Sequence, residues 1–483
     1  MFASEVKALA ELDDCPRKPN LSLVRDALFA SSLDRGRATI LEGVSRLEPG
    51  HWLRVTPDGR VVTHRWWNTW EERVQVPSRA ENQVAEFRGL FEDACRIRQR
   101  SDVPVCTLLS GGLDSSSIAC TVSRLRRQAH GARPGTRMAV DWQRSFTSSL
   151  PGSALDETAY AQAVVDACDL QSTLVTADAS DLVGQIAAAT HVLDSPIVSS
   201  MPSVSAVYAA VHQAGLKVTL DGQGADELLS GYSAADVVRY YAARGQLARA
   251  WEAADCAGAL RWPRVMPGEI LLQESLALIR GRFPVRTTLR KALGLMQAPP
   301  AVMTGVPGQA LPPLSDASEM PHLPGANPVT ARLYWEFHDN TLPQILRHYD
   351  HMAMRWSVES RMPFLDWRLV TYAFSLPVEQ LVARGYTKYV LRQAMAGSVP
   401  REVLRRRGKL GFPIAYEWFD RADVRNSVRD VLYDSSFEQS GFWEADAVRG
   451  WFDRRTLAPW TFEESSLLVR ILSTQFWYAR FVC

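Results

Sequence analysis

Val103-Pro104-Val105-Cys106-Thr107-Leu108-Leu109, an apolar run, stops at Ser110-Gly111-Gly112-Leu113-Asp114-Ser115-Ser116-Ser117 and passes into Ile118-Ala119-Cys120. The order is strand, glycine turn, helix. Adjacent glycines let the backbone approach a ligand closely and aim successive amides inward, and the first helical turn adds its unsatisfied N–H groups and the positive end of its dipole. The hydroxyls of Ser110, Ser115 and Ser116 supply further hydrogen bonds, so the loop suits a phosphate. A glycine pair after a strand is more often an ordinary tight turn. The chain contains neither G-x-x-x-x-G-K-[ST] nor G-x-G-x-x-G, which excludes the usual triphosphatase and dinucleotide loops.

Around this stretch the pattern alternates. Strands are expected over 103–109, 145–150, 173–176 and 216–220, separated by helical stretches over 115–126, 157–168, 180–192 and 203–213. That alternation indicates an α/β fold with a mostly parallel sheet. The strand ending at Leu220 runs into Asp221-Gly222-Gln223-Gly224-Ala225-Asp226-Glu227, which reads either as an acidic helix start or as a second ligand loop. Ligands of open α/β sheets bind beyond the carboxyl ends of the strands, where both loops belong. Before the sheet, Val84, Phe87, Leu90, Phe91 and Ala94 repeat at helical spacing, and Trp52-Leu53-Arg54-Val55, Pro57-Asp58-Gly59 and Arg60-Val61-Val62 read as a hairpin. A Pro-, Gly- and Ala-rich stretch over 297–327 reads as a long loop, followed by helices to the end.

The run Ser-Gly-Gly-Leu-Asp-Ser-Ser resembles the signature of ATP pyrophosphatases. Three more segments extend the resemblance: His351-Met352-Ala353-Met354-Arg355-Trp356-Ser357-Val358-Glu359-Ser360-Arg361-Met362-Pro363-Phe364-Leu365-Asp366, Lys388-Tyr389-Val390-Leu391-Arg392, and Arg407-Gly408-Lys409-Leu410-Gly411-Phe412. In this order they resemble the synthetase domain of the asparagine synthetase family, over roughly 84–480. The resemblance implies an adenine nucleotide alpha hydrolase-like domain over 80–483 with a helical C-terminal part. It also implies a ligase that adenylates a carboxylate with Mg-ATP, releases pyrophosphate and transfers the acyl group to ammonia or an amine.

Position by position, the resemblance implies Mg²⁺ ligands at Asp114 and Asp226. ATP contacts are implied for Leu109, Ser110, Gly111, Gly112, Ser115, Ser116, Ser148, Gly222, Gly224, Ser357 and Val358, and catalytic roles for Glu359, at the acyl-adenylate and nucleophile, and Lys409, at the reacting phosphate. The chemistry suits these residue types: carboxylates hold a hard cation, a lysine neutralises developing phosphate charge, and a carboxylate can take the proton of an attacking amine. Arg405, Arg406 and Arg407 read as a solvated basic helix end sooner than as pyrophosphate ligands.

Phe2-Ala3-Ser4-Glu5-Val6-Lys7-Ala8-Leu9, Gly43-Val44-Ser45-Arg46-Leu47-Glu48-Pro49-Gly50-His51 and Arg65-Trp66-Trp67 resemble the latter part of the family's Ntn-hydrolase-like glutamine amidotransferase domain. Residues 1–75 are therefore expected to form a partial, β-rich domain of that kind. Its cysteine nucleophile has no counterpart, since Cys15 in Asp13-Asp14-Cys15-Pro16 matches no such position. Truncation, use of free ammonia, and use of another amine, as in β-lactam synthetases and lasso peptide cyclases, all remain open. So do a homodimer and a peptide-maturation partner, and the acceptor is a small-molecule or peptide carboxylate.

Composition sets the outer limits. Among 483 residues Lys and Arg total 54 against 53 for Asp and Glu, so no global field gathers nucleic acid or a membrane surface. Seven scattered cysteines without C-x-x-C argue against a disulfide framework, a zinc ribbon or a tRNA-thiolating pyrophosphatase. His348 and His351 are three apart with no evident third zinc ligand. No run is long and apolar enough for a membrane span, and the start lacks a signal sequence, so a cytoplasmic enzyme is expected.

Overall fold

The structure, a computed structural model, describes residues 1–30, 32–33, 36–129, 144–153, 155–197, 201–260, 264–282, 320–408 and 416–482. After helices Val6–Ala10 and Leu21–Ala30 comes an exposed hairpin, β1 (His51–Val55) against β2 (Val61–Arg65), with His51 opposite Arg65 and Val55 opposite Val61. The central sheet holds β3 (Val105–Leu108), β4 (Arg144–Ser149), β5 (Gln171–Thr176), β6 (Val218–Leu220) and β7 (Glu359–Arg361). All neighbours are parallel and the spatial order is β5-β4-β3-β6-β7. The expected parallel sheet is present with one addition, β7, which is too short and polar to read as a strand. Two residue pairs, β8 (Val382–Ala383) and β9 (Tyr386–Thr387), make a small second ribbon.

β3 lies centrally, and successive side chains of a strand point to opposite faces. Val105 joins a core with Phe87 and Phe91 of helix Ala80–Arg98 and Ile118 of helix Leu113–Ala129. Cys106 joins a second core with Ile186 of helix Leu182–Leu193 and Val204 and Val207 of helix Met201–Gln213. A strand covered on both faces must be apolar throughout, which is why this run was recognisable. Of the stretch read as a loop, 297–319 lies outside the described residues.

The N-terminal segment shares the second core. Leu21, Val24 and Leu28 of helix Leu21–Ala30 belong with Leu468, Ile471, Leu472 and Trp477 of helix Phe462–Phe481. That last helix opens with a capping box, Thr461 Oγ1 accepting from Glu464 N and Glu464 accepting from Thr461 N. Removing a large buried ring leaves a cavity, so Trp477→Ala should lower the unfolding free energy by about 3–5 kcal/mol, measured as a fall in urea midpoint at unchanged m.

Candidate active site

The turn after β3 is closed by its own side chains. Ser115 Oγ accepts from Ser110 N at 3.2 Å, lies 3.1 Å from Ser110 Oγ and donates to Gly112 O at 3.3 Å, while Gly112 N donates to Ser110 Oγ at 3.2 Å. Leu109 N donates to Phe146 O of β4 at 2.9 Å and anchors the loop to the sheet. Gly111 has φ +74°, and a Cβ there would fall 2.5 Å from Ala161 N and 2.8 Å from Tyr160 Cβ. Only glycine fits between this loop and helix Thr158–Cys168.

The loop after β6 leans on the first one. A Cβ on Gly222 would stand 3.2 Å from both Asp114 Cβ and Ser115 N, so its glycine lets the two loops touch. Asp114 and Asp226 then converge on one cation: Lys388 Nζ lies 2.5 Å from Asp114 Oδ2 and 2.7 Å from Asp226 Oδ1, with all three side chains largely withdrawn from solvent. Lys388 follows β9 in a left-handed conformation, φ +54°, which turns its side chain toward the loops.

These groups border a cavity of about 590 Å³. Arg392, Arg406 and Arg407 line it as well. Arg392 Nε donates to Thr387 O at 2.8 Å and Nη1 to Leu404 O at 2.6 Å; burial lowers its pKa, and the charge of Asp114 opposes that. Arg406 pairs with Glu157 and lies over the Tyr160 ring at 4.5 Å, and Arg407 pairs with Asp255. The expectation of a solvated basic end holds for Arg405 alone: helix Arg401–Arg405 ends there, the chain extends, and the next two arginines turn inward. Asp221, buried beside the cavity, accepts from Tyr208 OH at 2.6 Å and Ser360 Oγ at 2.5 Å through Oδ2. Burial raises its carboxyl pKa, against the pull of those two bonds.

Most residues singled out from sequence meet here. Ser110, Gly112, Asp114, Ser115, Gly222, Gly224 and Asp226 line the cavity. Leu109 and Gly111 shape the loop, Ser116 is fully buried beneath it, and Ser148 pairs with Val175 near the same edge without lining the cavity. Ser357, Val358 and Glu359 stand apart from the cavity lining. β7 runs parallel to β6 with Glu359 opposite Val218, and Glu359 N donates to Lys217 O at 2.7 Å, so all three stand at the strands' entry edge. The loops lie at the exit edge, and Glu359 is exposed and paired with Arg361 at 2.7 Å. Lys409 lies outside the described residues.

Lys388, Arg392, Gln223, Glu157 and Glu227 line the cavity without having been assigned a role from sequence. Lys388 and Arg392 stood in a quoted motif, but Lys388 is the left-handed residue ahead of helix Tyr389–Ala394, so helical spacing does not aim it. His348 is fully buried, whereas His351 does find company in Glu5 and Asp194, their ligand atoms within 4.8 Å of one another. Lys7 already supplies positive charge there, paired with Glu5 and 3.3 Å from Asp194.

Comparison with known proteins places this geometry. The family model described as asparagine synthase matches residues 86–479. The chain is 25% identical over 414 residues to glutamine-hydrolysing asparagine synthetase 3 of Bacillus subtilis, covering 84% of this chain and 60% of that protein. It is 27% identical over 460 residues to amidase chry2 of Gibberella zeae, covering 86% and 66%, and 25% identical over 448 residues to amidase chyE of Penicillium rubens, covering 85% and 64%. The chain thus spans 60–66% of the length of these relatives. Among the described residues no helix is long and apolar enough to cross a membrane. The family match takes in both glycine loops, Lys388 and almost all of the last helix, and the chain belongs to the asparagine synthase family.

Proposed function

We propose that this chain adenylates a carboxylate with Mg-ATP, releasing pyrophosphate, and passes the acyl group to ammonia or an amine to form an amide. The observation that carries the reading is the shared cation of Asp114 and Asp226: the Lys388 ammonium stands between two carboxylates from separate loops, beside a glycine turn built for phosphate. Two largely buried aspartates holding one cation form an oxygen donor set that fits Mg²⁺. Magnesium bound there would draw off negative charge from the departing pyrophosphate.

The chain's own groups supply the rest. The amides and hydroxyls of Ser110, Gly112 and Ser115, which close the turn on itself, would exchange those bonds for bonds to the phosphates, as backbone nests and helix starts do. Asp114 and Asp226 would hold Mg²⁺, and the Lys388 ammonium beside them would then be available to phosphate oxygens, with Arg392 and Arg406 adding charge on the same wall. Fixed cations in a partly closed cavity stabilise charge as it develops, because they need not reorganise during the reaction. The attacking amine must lose a proton. Asp221 lines the cavity, is held by Tyr208 and Ser360, and has the raised basicity the step requires, so it takes the role expected of Glu359.

Residues 1–75 are proposed to form part of an amidotransferase-like domain, supported by the β1–β2 hairpin. A second reading keeps the activation step and places the amine on the acyl donor itself, closing a macrolactam or β-lactam ring. What favours keeping it is that proteins named amidases match at 25–27% identity, level with the asparagine synthetase at 25%. Product masses with aspartate plus ammonium distinguish the two readings.

With Mg-ATP in excess the wild-type Tm should rise, because a ligand that binds only the folded state stabilises it. Asp114→Asn and Asp226→Asn should lose that rise and carboxylate-dependent AMP release while keeping the far-UV circular dichroism of the parent; AMP release intact in both would end the assignment.

The two candidate proton acceptors separate in a paired assay. Glu359→Gln should leave amide formation within about twofold of wild type, whereas Asp221→Asn should lose it by about 100-fold yet still exchange pyrophosphate into ATP. The reverse ranking would restore Glu359.

A further inference from the structure

Two thiols meet behind the phosphate loop. Cys120 lies on helix Leu113–Ala129, whose first turn carries Asp114, and Cys168 is the last residue of helix Thr158–Cys168, whose first turn abuts Gly111. Their sulfurs are 3.1 Å apart and share a hydrogen bond. A disulfide needs about 2.05 Å, so bonding requires the sulfurs to close by roughly 1 Å. Both residues are free thiols.

The two sulfurs are not equivalent. Cys168 is buried but lies at a helix end between exposed Ala167 and Asp169, and Asp169 reverses the chain at φ +56°. Helix ends open locally at low cost, giving a small oxidant a route that the helix interior denies to Cys120. The Arg127 guanidinium sits over this end, donating to Ala167 O at 3.3 Å and Ser123 Oγ at 3.0 Å, and Ser123 Oγ donates to Cys168 O at 3.1 Å. The bond with Cys120, then the Arg127 charge, hold the Cys168 thiol below its usual range, while the same bond and burial push Cys120 up. The outer sulfur is thus the attacking thiolate and the inner one the resolving thiol.

We propose that Cys120 and Cys168 form a reversible dithiol–disulfide pair, an oxidation site for small hydroperoxides that locks the helix behind the phosphate loop to its neighbour. With hydrogen peroxide, the Cys168 thiolate attacks one oxygen, the O–O bond breaks, and the other oxygen leaves as water after taking up a proton. The Cys120 thiol, giving up its proton, then displaces the sulfenic oxygen as a second water. The two sulfurs lose two electrons and one peroxide becomes two waters. The contraction reaches the site along helix Thr158–Cys168, whose first turn lies so close to Gly111 that a Cβ there would fall 2.5 Å from Ala161 N.

The full chain, reduced and then treated with hydrogen peroxide, is unfolded in an alkylating agent and digested. The expected result is a Cys120–Cys168 cross-linked peptide, lighter by two hydrogens and restored by dithiothreitol, with the titratable thiols falling by two from the seven of the chain. The oxidised protein should show a higher Tm and a smaller Tm rise with Mg-ATP than the reduced protein. Cys168→Ala should leave Cys120 fully alkylatable after the same treatment. Full alkylation of both cysteines in the treated wild type, or Cys168 oxidised alone to sulfinic acid, would overturn the proposal. The cross-link does not depend on the proposed function: if reduced protein ignores Mg-ATP while the cross-link still forms, it is the nucleotide reading that fails.

Discussion

Everything at this site depends on one interaction, the Lys388 ammonium held between Asp114 and Asp226. Taking three charges out of water is expensive, and their mutual attraction repays it only while all three stay together. Removing the lysine leaves two carboxylates facing one another across a partly closed cavity. The arrangement therefore demands a cation, and a divalent ion that arrives with its own anionic ligand can replace the ammonium without leaving the carboxylates uncompensated. The lysine thus ties the two loops together.

That bridge needs the two loops to touch, and glycine is what permits it. Gly222 rests against Asp114 and Ser115, and Gly111 against Tyr160 and Ala161. A side chain at Gly111 would meet backbone atoms, and one at Gly222 would press on Asp114 and Ser115 themselves, and an ion pair weakens as distance grows and water enters. Gly224 does the same on the far side, where a Cβ would lie 2.5 Å from Leu365 Cδ2. The glycines are as much a part of the cation site as the aspartates.

The legible part of the molecule was the part with two-sided constraints. β3 must be apolar because helices cover both of its faces, and the two loops announce themselves because they follow strands. β7 escaped notice because it is only Glu359–Arg361, held by its register with β6 and by Arg361 Nη1 donating to the carbonyls of Arg98 and Arg100 at 2.9 and 2.7 Å. That strand is what sets Glu359 apart from the two loops. Residues before a parallel strand lie at the opposite sheet edge from residues after it, so an acidic residue at the entry of β7 does not meet loops at the exits of β3 and β6. Lys388, Arg406 and Arg407 were hidden for another reason: their direction comes from a left-handed residue and a helix end, which residue type alone does not reveal.

The N-terminal segment also reaches the cavity through helix Thr341–Arg355. Near the start of this helix, Ser32 Oγ donates to Asn340 Oδ1 at 3.0 Å and Leu33 N to Gln344 Oε1 at 2.9 Å. Near its end, His351 sits with Glu5 and Asp194, and Lys7 Nζ donates to Val192 O at 2.8 Å. Between these attachments Ile345 and Tyr349 line the cavity. A helix held at both ends by one segment and contributing its middle to a pocket cannot tilt independently of that segment. Leu21, Val24 and Leu28 share one core with Trp477 and with Met352 and Ala353 of this helix, so the packing that stabilises the segment also anchors the helix that lines the cavity.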